Sequence, residues 1–457
     1  MEPVTHSGSE SLGTEKPTTE SVVASPRSRL PRALRPFGNG QYRLLAAALI
    51  CSLLSVGIWL VAVVWQVIEL GGTASDLSLV ALGGSLGIVL AVLVGGVAAD
   101  RIPQRLILLV VELVRGVGYG LAAVLALTGT IQIWHLAVIA FGLGLADGFF
   151  YPAYSAWLPA LIDEEELLAA NGIEGMLRPT VMQAIGPAVA SGILAISSPA
   201  IAFTVVALLQ IGAVAVLALM RNTPVRRDVD HSRNPLVAAL VDIRDGFAYM
   251  VRTRWLFATL LFAILLVLVI MGPIEVLLPF AVKDQTGGGP GSFAFALGAF
   301  GGGGAIGSLA VASMKLPRRY LTVMILGWGL GCLPLVVIGM TNQLWLMIVA
   351  LFICGFLFSA AQVIWGTLLQ RRVPPALLGR VSSLDFFVSL ALMPISMAIA
   401  GPVGEQIGIA PAFVIAGLVP VLLAIVAIVA GRLPRDELEH PLDQVPVGDP
   451  EPDLRPA

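Results

Sequence analysis

Apolar runs of roughly twenty residues recur along most of this 457-residue chain. A helix of that length crosses the hydrocarbon core of a bilayer. In that solvent each segment must satisfy its own backbone amides and carbonyls, so runs of this kind read as membrane-spanning helices. Hydrophobic residues make up 57% of the chain and charged residues 12%, about half the charged share of a typical soluble protein. The net charge of −2 is small, so the placement of charge is more informative than its sum. Cys51, Cys332 and Cys354 fall inside apolar runs at unrelated spacings, as small core residues do, and outline neither a disulfide set nor a metal site. The scattered histidines offer no zinc cluster. The first forty residues lack an apolar signal core, so no cleavable signal peptide is expected.

The runs predict an all-α polytopic membrane protein with twelve transmembrane helices in two six-helix halves. Residues 1–42, rich in Ser, Thr, Pro and Glu and then in Arg, read as a disordered cytoplasmic tail. The first half, 43–220, holds spans at about 43–69, 77–99, 105–128, 131–152, 170–196 and 199–220. A cytoplasmic central loop follows at 221–254, with an amphipathic surface helix expected over Pro235–Met250. The second half, 255–431, holds spans at about 255–282, 292–314, 319–340, 343–368, 378–403 and 410–431. Residues 432–457 are polar and Pro-rich and read as a disordered cytoplasmic tail.

Positive charge provides an independent count. With both termini inside, the cytoplasmic connections hold Arg101, Arg105, the central arginines, Arg318, Arg319, Arg371, Arg372 and Arg380, whereas the external loops hold only Lys283. That asymmetry follows the positive-inside rule, and shifting the count by one span would destroy it. The expected location is the plasma membrane, multi-pass, with cytoplasmic termini. The near-equal halves indicate internal duplication. Lys315-Leu316-Pro317-Arg318-Arg319 between spans 8 and 9 echoes the basic turn between spans 2 and 3, without its acid.

That first turn is the most specific motif. Gly95-Gly96-Val97-Ala98-Ala99-Asp100-Arg101-Ile102-Pro103-Gln104-Arg105 packs one acid and two bases into a tight hairpin. The glycines allow close helix approach. Asp100 can meet the positive N-terminus of another helix, and Arg101 and Arg105 can pair with acids or lipid phosphates. The string resembles the Gly-x-x-x-Asp-Arg-x-x-x-Arg signature between helices 2 and 3 of major facilitator superfamily transporters, matched at Gly96, Asp100, Arg101 and Arg105. In span 5, Gly186-Pro187-Ala188-Val189-Ala190-Ser191-Gly192 resembles the Gly-Pro-x-x-Gly-Gly motif of that superfamily's proton-coupled exporters, with Gly186, Pro187 and Gly192 as the positions to watch. Ala190 and Ser191 stand where that motif has its two later glycines. A kinked, closely packed helix is the plainer reading of the same residues. Phe150-Tyr151-Pro152 through Leu167-Leu168-Ala169-Ala170-Asn171-Gly172, and Gly379-Arg380-Val381-Ser382-Ser383, resemble the macrolide, siderophore and multidrug efflux branch. By that resemblance Asp100 would meet the amides that start span 11 and close the cytoplasmic side. Like that branch, span 4 has no arginine.

Ionisable residues at membrane depth are costly and therefore functional candidates. Asp147 could carry a proton or pair with Arg101 or Arg105 in a gate. Glu112 and Arg115 are spaced to pair on span 3, and Glu174 and Arg178 on span 5, the latter two equally candidates for substrate or proton binding. Glu275 has no base at i±3 or i±4 and sits between Pro273 and Pro279 in an interrupted span 7. A lone carboxylate there could bind a cation or a proton, or simply be wet at the outer surface. Asp385 could cap span 11 or join the gate. Trp59, Trp65, Gln66 and Trp365 are candidate pocket walls, with lipid-interface anchoring as the other role for a Trp. The Gly-rich stretch at Gly301–Gly304 lacks the Lys-Ser/Thr of a phosphate loop, so no nucleotide drives the protein.

These readings lead to a secondary active transporter, not an enzyme, that exports small amphipathic organic compounds by proton antiport with alternating access. Export of one dedicated metabolite such as a siderophore is the alternative, followed by a nutrient importer and by a non-transporting receptor or scaffold. Protons, the substrate and the bilayer are the expected partners. No cofactor, metal, nucleotide or nucleic acid is expected, and the working unit is expected to be a monomer.

Overall fold

The computed structural model describes residues 32–221, 244, 247–314 and 316–442. The surroundings of Gly96 and the side chains of Asp100 and Arg380 are not described. Most of the surface helix expected at Pro235–Met250 lies outside the described residues.

Among the described residues, twelve helices are long and apolar enough to cross a membrane. The first half contributes span 1 (Gly40–Glu69), span 2 (Ala74–Val92, its helix continuing to Arg101), span 3 (Gln104–Leu127), span 4 (Ile133–Leu161), span 5 (Ala169–Ile196) and span 6 (Pro199–Ala218). The second half contributes span 7 (Arg254–Thr286), span 8 (Pro290–Ala312), span 9 (Tyr320–Met340), span 10 (Leu344–Arg372), span 11 (Leu384–Ile407) and span 12 (Ile409–Gly431). Successive spans alternate in direction. The start of span 1 and the end of span 12 therefore share one face of the bundle, the termini face, opposite a far face.

The packing repeats from half to half. Span 2 lies on span 4 as span 8 lies on span 10, span 3 on 6 as 9 on 12, and span 1 on 5 as 7 on 11. Between the halves, span 5 meets span 8 and span 2 meets span 11, which are again equivalent pairs. In lipid the hydrophobic effect does not drive helices together, so close approach of backbones carries the packing. Gly57 of span 1 and Gly186 of span 5 show the requirement directly, since a Cβ on Gly186 would stand 2.6 Å from the Gly57 Cα.

Order extends further towards both ends of the chain than the sequence indicates. Asn39 caps span 1 through its side-chain oxygen, which accepts from the Gln41 amide at 2.8 Å. A short 3-10 turn at Arg32–Gly38 precedes it. The expected disordered tail through residue 42 is thus ordered from Arg32. At the other end, Leu433–Glu439 forms a helix where a disordered tail was expected. Buried Glu437 explains it: one carboxylate oxygen accepts from the Leu321 and Thr322 amides at 2.9 and 3.0 Å, and the other from the Thr322 hydroxyl at 2.7 Å. An acid that caps span 9 holds the segment against the bundle. Asp163 is the N-cap residue of the helix that begins at Glu164 and leads into span 5.

Candidate transport site

A cavity of ≈ 280 Å³ lies between the two halves. Its walls are mostly apolar, with Trp59, Ile88, Phe293, Phe300, Met393 and Met397 among them. Two carboxylates reach it from opposite halves, Asp147 of span 4 and Glu275 of span 7.

Asp147 belongs to a buried ion cluster. Arg115 Nε donates to Asp147 Oδ1 at 2.8 Å, and Nη2 donates to the same oxygen. Arg115 Nη1 donates to Ser52 Oγ at 2.7 Å and to Glu112 Oε1 at 3.2 Å. The guanidinium also lies 4.7 Å from the centre of the Phe150 ring. The Arg115 side chain is 6% exposed and Glu112 2%, against 35% for Asp147. The cluster is therefore sealed at Glu112 and open to the cavity at Asp147. The guanidinium fork holds both acids and a hydroxyl at once. The expected Glu112–Arg115 pair is present. The gate placement of Asp147 beside Arg101 or Arg105 is not: Asp147 stands fourteen residues before the end of span 4 at Leu161, or ~21 Å along the helix.

Glu275 is held differently. Pro279 has no amide to donate to the Glu275 carbonyl, and the helix widens to a π-turn at Pro273–Leu277. The Leu278 amide bonds Pro273 five residues back. Span 5 does the same before Pro187, where Arg178–Ile185 is π-helical and Gly186 bonds Val181. The residues four before these prolines, Glu275 and Gln183, both line the cavity. The expected interruption of span 7 is thus a π-turn in a continuous helix. Glu275 is enclosed by protein yet accessible to the cavity, and it has no hydrogen-bond or ion-pair partner among the described residues.

The cavity is bounded on the far face by contacts between halves. A Cβ on Gly401 of span 11 would collide with the backbone of Ala74 and Ser75 at the start of span 2. The Gly401 amide donates to Ser78 Oγ at 2.7 Å, and the Ser75 amide donates to Glu405 Oε1 at 2.8 Å. Trp65 and Phe293 meet at 5.8 Å between ring centres. Towards the termini face, one turn beyond Asp147, Tyr151 of span 4 lies 6.4 Å from Phe386. Arg178 covers the Tyr151 ring at 4.3 Å and holds Glu174 at 3.0 Å. The predicted Glu174–Arg178 pair therefore packs behind this aromatic contact and does not line the cavity.

Other predicted residues divide. Trp59 lines the cavity, wedged against Tyr119 and Phe203. Trp365 does not: it is buried against Trp255 and Trp328, and its Nε1 donates to Asp385 Oδ2 at 3.1 Å. The other Asp385 oxygen accepts from Ser389 Oγ at 3.5 Å. Gln66 is buried away from the cavity. Gly95, next to the motif's Gly96, packs on the backbone of Gly148 in span 4, an approach that a Cβ would block. Arg101 is exposed, and Arg105 donates to the carbonyls of Leu217 and Ala218 at the end of span 6. The expected contact of Asp100 with the start of span 11, near Arg380, lies outside the described side chains. In the span 5 motif, Gly186 and Pro187 are buried, while Gly192 faces open space.

Residues 32–454 match the model of the transmembrane secretion effector family. The chain belongs to this family, a branch of the major facilitator superfamily. Macrolide efflux protein A of Streptococcus pyogenes is 25% identical over 380 residues, covering 82% of this chain and 92% of that protein. Multidrug efflux pump Tap of Mycolicibacterium fortuitum is 28% identical over 389 residues, with the same coverages. Tap of Mycobacterium tuberculosis is 28% identical over 428 residues, covering 88% and 95%. Among solved structures, the nucleoside transporter NupG superposes with a TM-score of 0.65 at 13% identity, covering 84% of this chain and 98% of that one. A POT family transporter in complex with a thioalcohol-conjugated peptide gives 0.67 at 14%, covering 86% and 96%. These likenesses show the major facilitator fold.

Sequence reasoning missed Ser52, Tyr119 and Gln183. Ser52 and Tyr119 carry no periodic signal that separates them from packing residues. Gln183 did have one, its place four residues before Pro187.

Proposed function

We propose that this secretion effector family member exports small amphipathic organic compounds, driven by proton entry, with both termini in the cytoplasm and the two halves alternating access to the central cavity. The observation that carries the reading is the cavity itself: an apolar, aromatic and methionine-rich space into which one carboxylate projects from each half. Such walls suit amphipathic solutes. Methionines adapt to varied shapes.

The charge count in the Asp147 cluster supports proton coupling. Two carboxyls share one guanidinium, so the cluster is −1 with both ionised and neutral with one protonated. The cluster therefore has a place for one proton, and Asp147 is the carboxyl through which the cavity reaches it. Efflux relatives of both macrolide and multidrug description support export. The basic termini face supports the orientation, and one chain encloses the whole cavity, which supports a monomer.

One observation favours the alternative of a single dedicated metabolite: the enclosed volume of ≈ 280 Å³ lies just below the roughly 300–1,000 Å³ of ordinary ligand pockets.

The deciding experiment is proton-gradient-driven uptake of a fluorescent cationic dye into inverted vesicles by the native chain, Asp147→Asn and Glu275→Gln. Gradient-dependent accumulation lost in Asp147→Asn supports proton-coupled export through the cluster. Accumulation unchanged in both variants removes the two carboxylates from coupling. Absence of accumulation by the native chain moves the reading to a dedicated metabolite.

A further inference from the structure

A second hollow, ≈ 530 Å³, opens on the termini face between the start of span 7, the end of span 10 and the chain beyond span 12. It lies apart from the central cavity and shares no residue with it. Three arginines line it, Arg254, Arg371 and Arg372, with one carboxylate, Asp436. Arg372 is spoken for: it pairs with Asp436 and stacks 4.6 Å from the Trp255 ring centre. Arg254 and Arg371 are not matched by an acid among the described residues. Each uses one terminal nitrogen on a backbone carbonyl, Arg254 on Ala430 at 2.9 Å and Arg371 on Leu442 at 2.8 Å. Both are exposed. A guanidinium has five N–H donors in a rigid fork, so most of their donors remain turned to the hollow and its surroundings.

An apolar stripe leads away from this charge. On span 7, Phe257 and Leu261 follow Arg254 at one and two turns and are 45% and 48% exposed. On span 12, Val429 and Val426 precede Ala430 and are 69% and 60% exposed. Spans 7 and 12 pack together here, so two guanidiniums sit at the head of a greasy surface within a membrane-spanning bundle. The fork matches phosphate geometry, and basic pockets between transmembrane helices at a membrane surface suit anionic headgroups.

We propose that the Arg254–Arg371 hollow binds the phosphate of an anionic glycerophospholipid whose acyl chains lie along spans 7 and 12. The site clamps span 7, span 10 and the C-terminal helix together on one face of the second half. This assignment is independent of what the central cavity transports and in which direction.

The test uses the purified full chain in a neutral detergent. Its thermal unfolding midpoint is followed during titration with dihexanoyl phosphatidylglycerol, dihexanoyl phosphatidylcholine or inorganic phosphate. Phosphatidylglycerol should raise the midpoint saturably and phosphatidylcholine should not. The double variant Arg254→Gln/Arg371→Gln should bind phosphatidylglycerol at least tenfold more weakly, because charge-assisted bonds are lost at two positions. Arg435→Gln, an arginine outside the hollow, should bind like the native chain. If the double variant does not fold, each single variant should show a weaker affinity on its own. Equal shifts from both lipids, or no shift from phosphatidylglycerol, would overturn the proposal, as would an unchanged affinity in the arginine variants. A shift from inorganic phosphate equal to that from the lipid, and lost in the double variant, would make the ligand a soluble anion and overturn the lipid assignment.

Discussion

Glu405 at the end of span 11 accepts a hydrogen bond from the backbone amide of Ser75, in the first turn of span 2, at 2.8 Å. The carboxylate caps a helix that belongs to the other half of the molecule. It thus satisfies one of the amides that every helix leaves orphaned at its start and places negative charge at the positive end of the dipole. The relation mirrors the one that sequence similarity assigns to Asp100 and the start of span 11 on the opposite face. Equivalent pairs of helices, 2 with 11 and 5 with 8, meet across the halves, so a latch on each face is what a duplicated fold would build.

Removing this latch should open the far face. Glu405 is exposed, so the bond is worth about 1 kcal/mol and not the larger figure of a buried charge-assisted bond. With Ser85→Cys as a reporter in the cavity wall, Glu405→Ala should speed labelling by a membrane-impermeant maleimide added from the far face by roughly fivefold, the factor that 1 kcal/mol represents. Unchanged labelling would mean that the other far-face contacts, Gly401 with Ser78 and Trp65 with Phe293, hold the face shut.

The Arg115 cluster makes a different kind of prediction. Arg115→Met would leave Glu112 and Asp147 without their cation in a buried setting, and breaking one side of such a pair costs roughly 3–5 kcal/mol. The triple variant Glu112→Gln/Arg115→Met/Asp147→Asn removes all three charges and should regain most of that loss while abolishing gradient-driven transport. Thermal unfolding in detergent gives the first comparison and vesicle uptake the second. A triple variant no more stable than Arg115→Met would show that the cluster is held by shape and not by charge balance.

The architecture was legible in the sequence because its causes are local. Span length, apolar content and the bias of arginine to one face each act within a single segment, and they give twelve spans in two halves. Pairs at helical spacing were legible for the same reason, as Glu112–Arg115 and Glu174–Arg178 show. The site was legible only in part. Asp147 joins Arg115 across 32 positions of sequence, and no periodicity connects residues on different helices. Trp365 illustrates the opposite error: its helix faces the cavity, yet its indole turns to Trp255, Trp328 and Asp385. The C-terminal helix was hidden because its composition is polar. What orders it is Glu437 reaching the start of span 9, a contact invisible in composition.

The span 5 motif can be split by substitution. Adding a Cβ at Gly186 drives it into the Gly57 backbone, where neither helix can give way without opening the crossing. Gly186→Ala should cost about 1–3 kcal/mol, the usual penalty of overpacking. Gly192 has open space around its missing Cβ, so Gly192→Ala should leave stability within about 0.5 kcal/mol of native. Thermal unfolding of the two variants side by side provides the check. An equally harmful Gly192→Ala would point to a second conformation in which that position is closely packed.

Trp59 and Trp365 separate binding from folding. Trp59 presents its ring to the cavity beside Tyr119 and Phe203, so Trp59→Leu should raise the KM for a transported dye with less effect on the maximal rate. Trp365→Phe keeps most of the buried ring but loses the Nε1 bond to Asp385, leaving that carboxylate short of one donor. A buried group deprived of its partner costs about 1–3 kcal/mol, so Trp365→Phe should lower the unfolding temperature and leave KM near its native value. The double variant Trp365→Phe/Asp385→Asn tests the cause, since a neutral amide tolerates the loss of that donor better than a carboxylate. It should recover part of the lost stability. A raised KM in Trp365→Phe with no loss of stability would instead return Trp365 to the pocket wall.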